Sequence, residues 1–216
     1  MFSVRTLVAV VAIACAALVG LLLGDLRYPA VAAKLIASTA FIALAVRSGA
    51  MASTYGRLIL LGLVFSWFGD MFLTGRSQLA FLAGLSAFLL AHVAYVSAFI
   101  RHGYGRVWIY SAAVPVTALA VAIFVWLEPH TPANLMIPVR AYIAVISLMV
   151  IFAFGTRGRG GSILIIIGAT LFFLSDLSVA ALRLVQTDYP TYVIGLPLYY
   201  AGQVCLALSV SHSRSH

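Results

Sequence analysis

Eight apolar stretches, each close to the length of a membrane-spanning helix and separated by only a few residues, leave this chain little choice of fold. They run over 4–23, 29–46, 58–73, 79–100, 108–127, 138–154, 162–184 and 192–210. A spanning helix needs about 20 predominantly apolar residues, and stretches this continuous lack the roughly ten-residue alternation of a membrane barrel. Of 216 residues, 64% are hydrophobic and 8% charged, which is too little polar surface to coat a soluble globule. The predicted fold is an all-α integral membrane bundle of about eight transmembrane helices, forming a single polytopic domain over 1–216.

The formal charge of +8 does not mark a nucleic-acid binder, because the arginines stand singly between apolar stretches and never cluster. They read instead as topology signals. Arg5, Arg47, Arg57, Arg101, Arg106, Arg157, Arg159 and Arg214 fall on one side, and only Arg27, Arg76 and Arg183 on the other. Cationic loops stay in the cytoplasm, so both termini are expected there, in a bacterial inner membrane. Arg5 and the run Ala30-Val31-Ala32-Ala33 flank the first stretch as they would a signal peptide, but the stretch exceeds an h-region and is read as the first span. Cys15 and Cys205 lie inside apolar stretches as small hydrophobes, with no disulfide or metal-ligand spacing. Nothing points to a soluble partner.

A repeat organises the polar residues. Lys34 precedes Asp70 by 36 residues and Arg140 precedes Asp176 by the same 36; Phe65-Ser66-Trp67-Phe68-Gly69-Asp70 parallels Leu171-Phe172-Phe173-Leu174-Ser175-Asp176. Gly84-Leu85 leads to His92 as Gly195-Leu196 leads to Gln203. The expectation is two parallel four-helix halves, 1–107 and 108–216, related by an axis along the membrane normal. Accidental matching in a biased composition is the competing explanation.

A charge inside a spanning helix costs roughly 2.5–3.5 kcal/mol, so it faces the bundle interior or a water-filled cavity. Lys34, Asp70, Arg140 and Asp176 sit about 3–12 Å inside their spans, all toward the end opposite the termini. Asp70 and Asp176 are the candidate catalytic pair, the alternative being a structural interhelical pair. Lys34 and Arg140 either bind substrate or snorkel to the headgroups. His92 and Tyr95, three residues apart, share a helix face. With Ser66, Tyr199, Tyr200 and Gln203 they are candidate substrate-binding groups; for the tyrosines, packing or an interfacial belt is equally open. Gly62, Gly69, Gly84 and Gly168 are expected to permit close helix approach. No phosphate-binding glycine loop, H-E-x-x-H or G-x-S-x-G is present, and neither metal nor cofactor is called for.

Four motifs carry a resemblance: Phe65-Ser66-x-x-Gly69-Asp70-x-x-Leu73; Gly84-Leu85-x-x-Phe88-x-x-Ala91-His92-x-x-Tyr95-x-x-Ala98-Phe99; Gly168-Ala169-x-Leu171-Phe172-x-x-Ser175-Asp176; and Tyr199-Tyr200-x-Gly202-Gln203. From Lys34 to the carboxyl end the chain resembles the YhhN family of eight-helix membrane proteins, whose animal members are lysoplasmalogenases. The resemblance implies hydrolysis of the vinyl ether bond of a lysophospholipid, giving a fatty aldehyde and glycerophospho-choline or glycerophospho-ethanolamine. That chemistry begins with proton transfer to the distal alkene carbon and proceeds through an oxocarbenium ion, so it needs one acid and one carboxylate. Two carboxylates close together in low dielectric do not both ionise readily, which suits Asp70 and Asp176 to the task without saying which does what. Lys34 or Arg140 would then neutralise the phosphate.

Two other readings compete. A small transporter with an intramembrane acid and cation site would show broken helices; here proline and glycine fall largely at the ends of spans. A metal hydrolase built on His92, Asp70 and Asp176 would have thin ligation for zinc.

Overall fold

Serine opens four of the helices. Ser3, Ser53, Ser77 and Ser162 each precede a helix and accept a backbone N–H from its first turn, satisfying a donor that the helix start leaves without a partner. The computed structural model describes residues 2–212, so Arg214 of the charge map lies outside the described residues. Among them are eight long helices: α1 (Val4–Leu23), α2 (Arg27–Arg47), α3 (Thr54–Phe72), α4 (Gln78–His102), α5 (Arg106–Leu127), α6 (Met136–Gly155), α7 (Ile163–Ala180) and α8 (Tyr192–His212). All eight are long and apolar enough to cross a membrane, and the chain is an all-α, multi-pass integral membrane protein.

The boundaries differ from the apolar stretches where local chemistry extends a helix. The Ser53 cap carries α3 back to Thr54 through the glycine and arginine at 56 and 57. Pro29 falls in the first turn of α2, where its missing N–H has no helical partner to lose. A π-helical turn, Ala181–Val185, continues α7. Pro115 and Pro197 lie inside α5 and α8 rather than at their ends, and both helices run on through them.

Each helix pairs with its neighbour in sequence: α1 with α2, α3 with α4, α5 with α6, α7 with α8. Across these hairpins α2 packs on α8 and α4 on α6. At the end that carries the termini, Gly105 N–H donates to the Gly155 carbonyl at 2.9 Å, tying the α4–α5 and α6–α7 loops. Phe41, Tyr95, Phe99, Phe172 and Tyr200 are fully buried along the centre. Helix α5 is the outlier, burying only Ala112 and Leu127, and its remaining surface is apolar enough for lipid.

Lipid offers no hydrophobic drive between helices, so close backbone approach has to supply the association. A Cβ on Gly69 would stand 2.6 Å from the Phe88 ring, and one on Gly84 2.8 Å from Leu73, so these glycines seat α3 on α4. Gly62 likewise faces Tyr95. On the other side, a Cβ on Gly168 would lie 2.8 Å from Leu206 Cγ and 3.0 Å from the Gly202 carbonyl. Gly168→Ala therefore has to part α7 from α8, and is expected to cost about 1–3 kcal/mol, read as a lower unfolding midpoint in detergent. An unchanged midpoint would mean that this seam has slack.

Candidate active site

Asp70 lies in the last turn of α3, and two other helices converge on it. Lys34 and Ser38 stand one turn apart on α2, at i and i+4, and so project from the same face. Lys34 Nζ is 3.4 Å from Asp70 Oδ1; Ser38 Oγ donates to Oδ2 at 2.6 Å and Tyr199 OH, from α8, donates to the same oxygen at 2.8 Å. Ser38 Oγ also lies 3.3 Å from Tyr200 OH. With its side chain only 3% exposed, Asp70 needs this company. A hydrogen bond to a charged group contributes about 1.5–3 kcal/mol, and an ion pair removed from water is tolerated only when its remaining lone pairs are satisfied.

Asp176 on α7 has a different environment. Tyr142 OH, from α6, donates to Oδ2 at 2.6 Å, and His92 Nε2, from α4, lies 3.5 Å from that oxygen. Among the described residues no lysine or arginine pairs with it. The rings that hold this carboxylate brace each other: His92 stands edge-on to Tyr142 at 5.2 Å and tilts against Phe172 at 4.6 Å.

Lys34, Asp70, Tyr142, Asp176 and Tyr199 all line one cavity of about 140 Å³. Its other walls are mainly apolar side chains of α4 to α8, such as Phe88, Ile123 and Leu196. Every wall comes from the halves of the helices remote from the termini, where the four intramembrane charges were expected. A cavity with few convergent polar groups in an apolar shell is the usual form of a small-molecule site. Here the shell is apolar enough for a hydrocarbon chain, and the polar groups are two carboxylates with their lysine and phenol partners.

The other sequence-derived candidates divide. Ser66, Tyr95 and Gln203 are buried in a layer behind the cavity, where Tyr95 OH donates to Gln203 Oε1 at 2.9 Å and lies 3.4 Å from Ser66 Oγ. His92 and Tyr200 touch the site through Asp176 and Ser38 and do not line the cavity. Arg140 is not brought in: its side chain is 55% exposed, 3.4 Å from Glu128 Oε1, with its guanidinium 4.9 Å above the Phe124 ring. Arg140 thus lies outside the cavity, on the exposed flank of the bundle. Ser38 and Tyr142 were missed. Ser38 had a signal, its i+4 spacing from Lys34; Tyr142 had none beyond being a tyrosine inside a span. Among the described residues no three His, Cys, Asp or Glu side chains gather as metal ligands do.

Comparison with known proteins adds to this geometry. The sequence model of the YhhN family matches residues 29–210. Lysoplasmalogenase TMEM86A of Bos taurus is 30% identical over 162 residues, 72% of this chain and 66% of its own length. Lysoplasmalogenase TMEM86B of Sus scrofa is 31% identical over 138 residues, 62% of this chain and 55% of its own. The lysoplasmalogenase of Mycobacterium bovis is 36% identical over 104 residues, 45% and 38% respectively. The matches thus span about two thirds or less of these relatives. No solved structure matches the chain.

Proposed function

This chain belongs to the YhhN family, and from that premise we propose that it hydrolyses the vinyl ether bond of lysoplasmalogens. The observation that carries the reading is the pair of carboxylates on one largely apolar cavity, only one of which faces a cation. Relatives named lysoplasmalogenase support the choice of substrate. Asp70, paired with Lys34 and accepting two hydroxyl hydrogen bonds, is assigned the carboxylate role. Asp176, which faces no cation, is assigned the acid.

In this mechanism the Asp176 carboxyl delivers its proton to the distal alkene carbon, and the electron pair of the alkene forms the new C–H bond. The positive charge left on the other carbon is shared with the ether oxygen as an oxocarbenium ion, which the Asp70 carboxylate stabilises. Water attacks that carbon and gives its proton to Asp176, restoring the acid. The resulting hemiacetal collapses to fatty aldehyde and a free glycerol hydroxyl. Tyr142 fixes the Asp176 carboxyl, and the ring packing of His92 fixes Tyr142.

The arginine distribution supports placing both termini in the cytoplasm and the cavity mouth on the opposite face. The matching 36-residue spacings and the paired α2–α8 and α4–α6 contacts support two parallel halves. Among the described residues no span is unwound at its middle: α5 and α8 run on through their prolines and α7 passes into a π turn only at its end, which weighs against transport. The test is aldehyde release by the purified chain in detergent from lysoplasmalogen, beside the saturated alkyl and acyl lysolipids of the same headgroup. Aldehyde is expected from the vinyl ether alone; a chain inert on every vinyl ether lysolipid would end this reading and return transport to first place.

A further inference from the structure

At the end of the bundle away from the termini a second cavity, of about 280 Å³, opens beside the first. Arg76, His130, Arg183 and Gln186 line it, and it shares Phe81 and Leu184 with the carboxylate cavity. We propose that this second cavity binds the phosphodiester of the lysolipid headgroup, with Arg183 and Arg76 as its anion-binding groups. The proposal rests on the lysolipid reading above and assigns the part of the substrate that the two carboxylates leave unaccounted for.

Three observations converge on it. First, Lys34, Arg27 and Arg140 each pair with a carboxylate, whereas among the described residues neither Arg76 nor Arg183 does. The sequence offered Lys34 or Arg140 for the phosphate, but Lys34 is held by Asp70 and Arg140 by Glu128. Second, Arg183 sits at the seam of the two cavities. Its Nη2 donates to the Leu73 carbonyl at 3.2 Å and its guanidinium lies 5.9 Å from the Phe81 ring centre. Leu73 lines the carboxylate cavity one residue short of a full turn beyond Asp70, a rise of about 4.5 Å. That offset is on the scale of the glycerol separating the ether oxygen from the phosphate in a lysolipid.

Third, the backbone here is unusual. Arg183 is carried on the π-helical turn Ala181–Val185, and Gln186 follows in the left-handed conformation, φ 56° and ψ 54°. π turns recur at functional sites, and a left-handed residue other than glycine persists only where its surroundings impose it. A planar guanidinium presenting several donors suits a phosphate oxygen pair better than an ammonium does.

The test is calorimetric titration of the full chain in detergent with a saturated 1-O-alkyl-lysophosphatidylcholine, which has no alkene to protonate. Arg183→Gln and Arg76→Gln are each expected to weaken its binding about tenfold, the scale of one charge-assisted hydrogen bond. Arg57→Gln, at the opposite end, leaves it unchanged. A 1-O-alkylglycerol without phosphate should bind wild type and both variants alike. Wild-type affinity for the phospholipid in both arginine variants would overturn the proposal. Inorganic phosphate that bound as tightly as the lipid, and displaced it, would make this a free-anion site and overturn the headgroup assignment. Since the analogue is not cleaved, binding that depends on the arginines in a chain inert on lysoplasmalogen would sink the hydrolase reading and leave this site standing.

Discussion

Asp176→Asn is expected to slow aldehyde release from lysoplasmalogen about a thousandfold, within the span that a positioned general acid contributes. The amide keeps the shape of the carboxyl and an oxygen to accept the Tyr142 hydroxyl at 2.6 Å, so the fold and the cavity survive while the transferable proton is lost. Proton transfer to carbon is the slow step in the proposed chemistry, and wild type should therefore turn over more slowly in D2O. Asp70→Asn should also lose activity, by removing the charge that faces the oxocarbenium ion, yet should keep the D2O sensitivity because its acid is intact. If Asp176→Asn retained wild-type turnover, the acid would have to be sought elsewhere. If Asp70→Asn lost the isotope effect and Asp176→Asn kept it, the two roles would be reversed.

Lys34→Met is expected to lower stability by about 3 kcal/mol, because it strips the counter-ion from a carboxylate with almost no contact with solvent. The same physics gives a sharper result in combination. Lys34→Met together with Asp70→Leu removes both charges and should recover most of the lost stability, since a buried pair replaced by apolar groups of similar volume is often neutral. The double variant should nevertheless remain without activity. Unfolding midpoints of the two single variants and the double variant in one detergent give the coupling energy directly. A Lys34→Met protein as stable and active as wild type would show that the 3.4 Å contact is incidental.

Much of the architecture was legible in the sequence because lipid enforces it: a backbone in hydrocarbon must close its hydrogen bonds within each helix, so span count and approximate length follow from apolar runs. The identity of the intramembrane carboxylates was legible for the same reason, since charges at such depth are rare. Their partners were less so, because which way a side chain faces depends on helix rotation, and apolar stretches this continuous fix rotation poorly. Arg140 and Tyr142 make the point. Two residues turn a helix by about 200°, so an arginine on the exposed flank puts the tyrosine toward the bundle. The matched 36-residue spacings favoured Arg140 as the counterpart of Lys34, but it is Tyr142 that meets Asp176. The shared cavity wall and the arginine pocket depend on loops meeting from distant parts of the chain, and no local pattern encodes that.

The crossing of α2 onto α8 and of α4 onto α6 means that each carboxylate is clasped by one helix from the first four and one from the last four. Asp70 is held by α2 and by α8, Asp176 by α6 and by α4. The two seats are alike in plan and unlike in charge, because α2 offers a lysine where α6 offers a phenol. The lysine thus keeps the two acids distinct in charge, and the Asp70 seat stays half-built until α8 has docked beside α2.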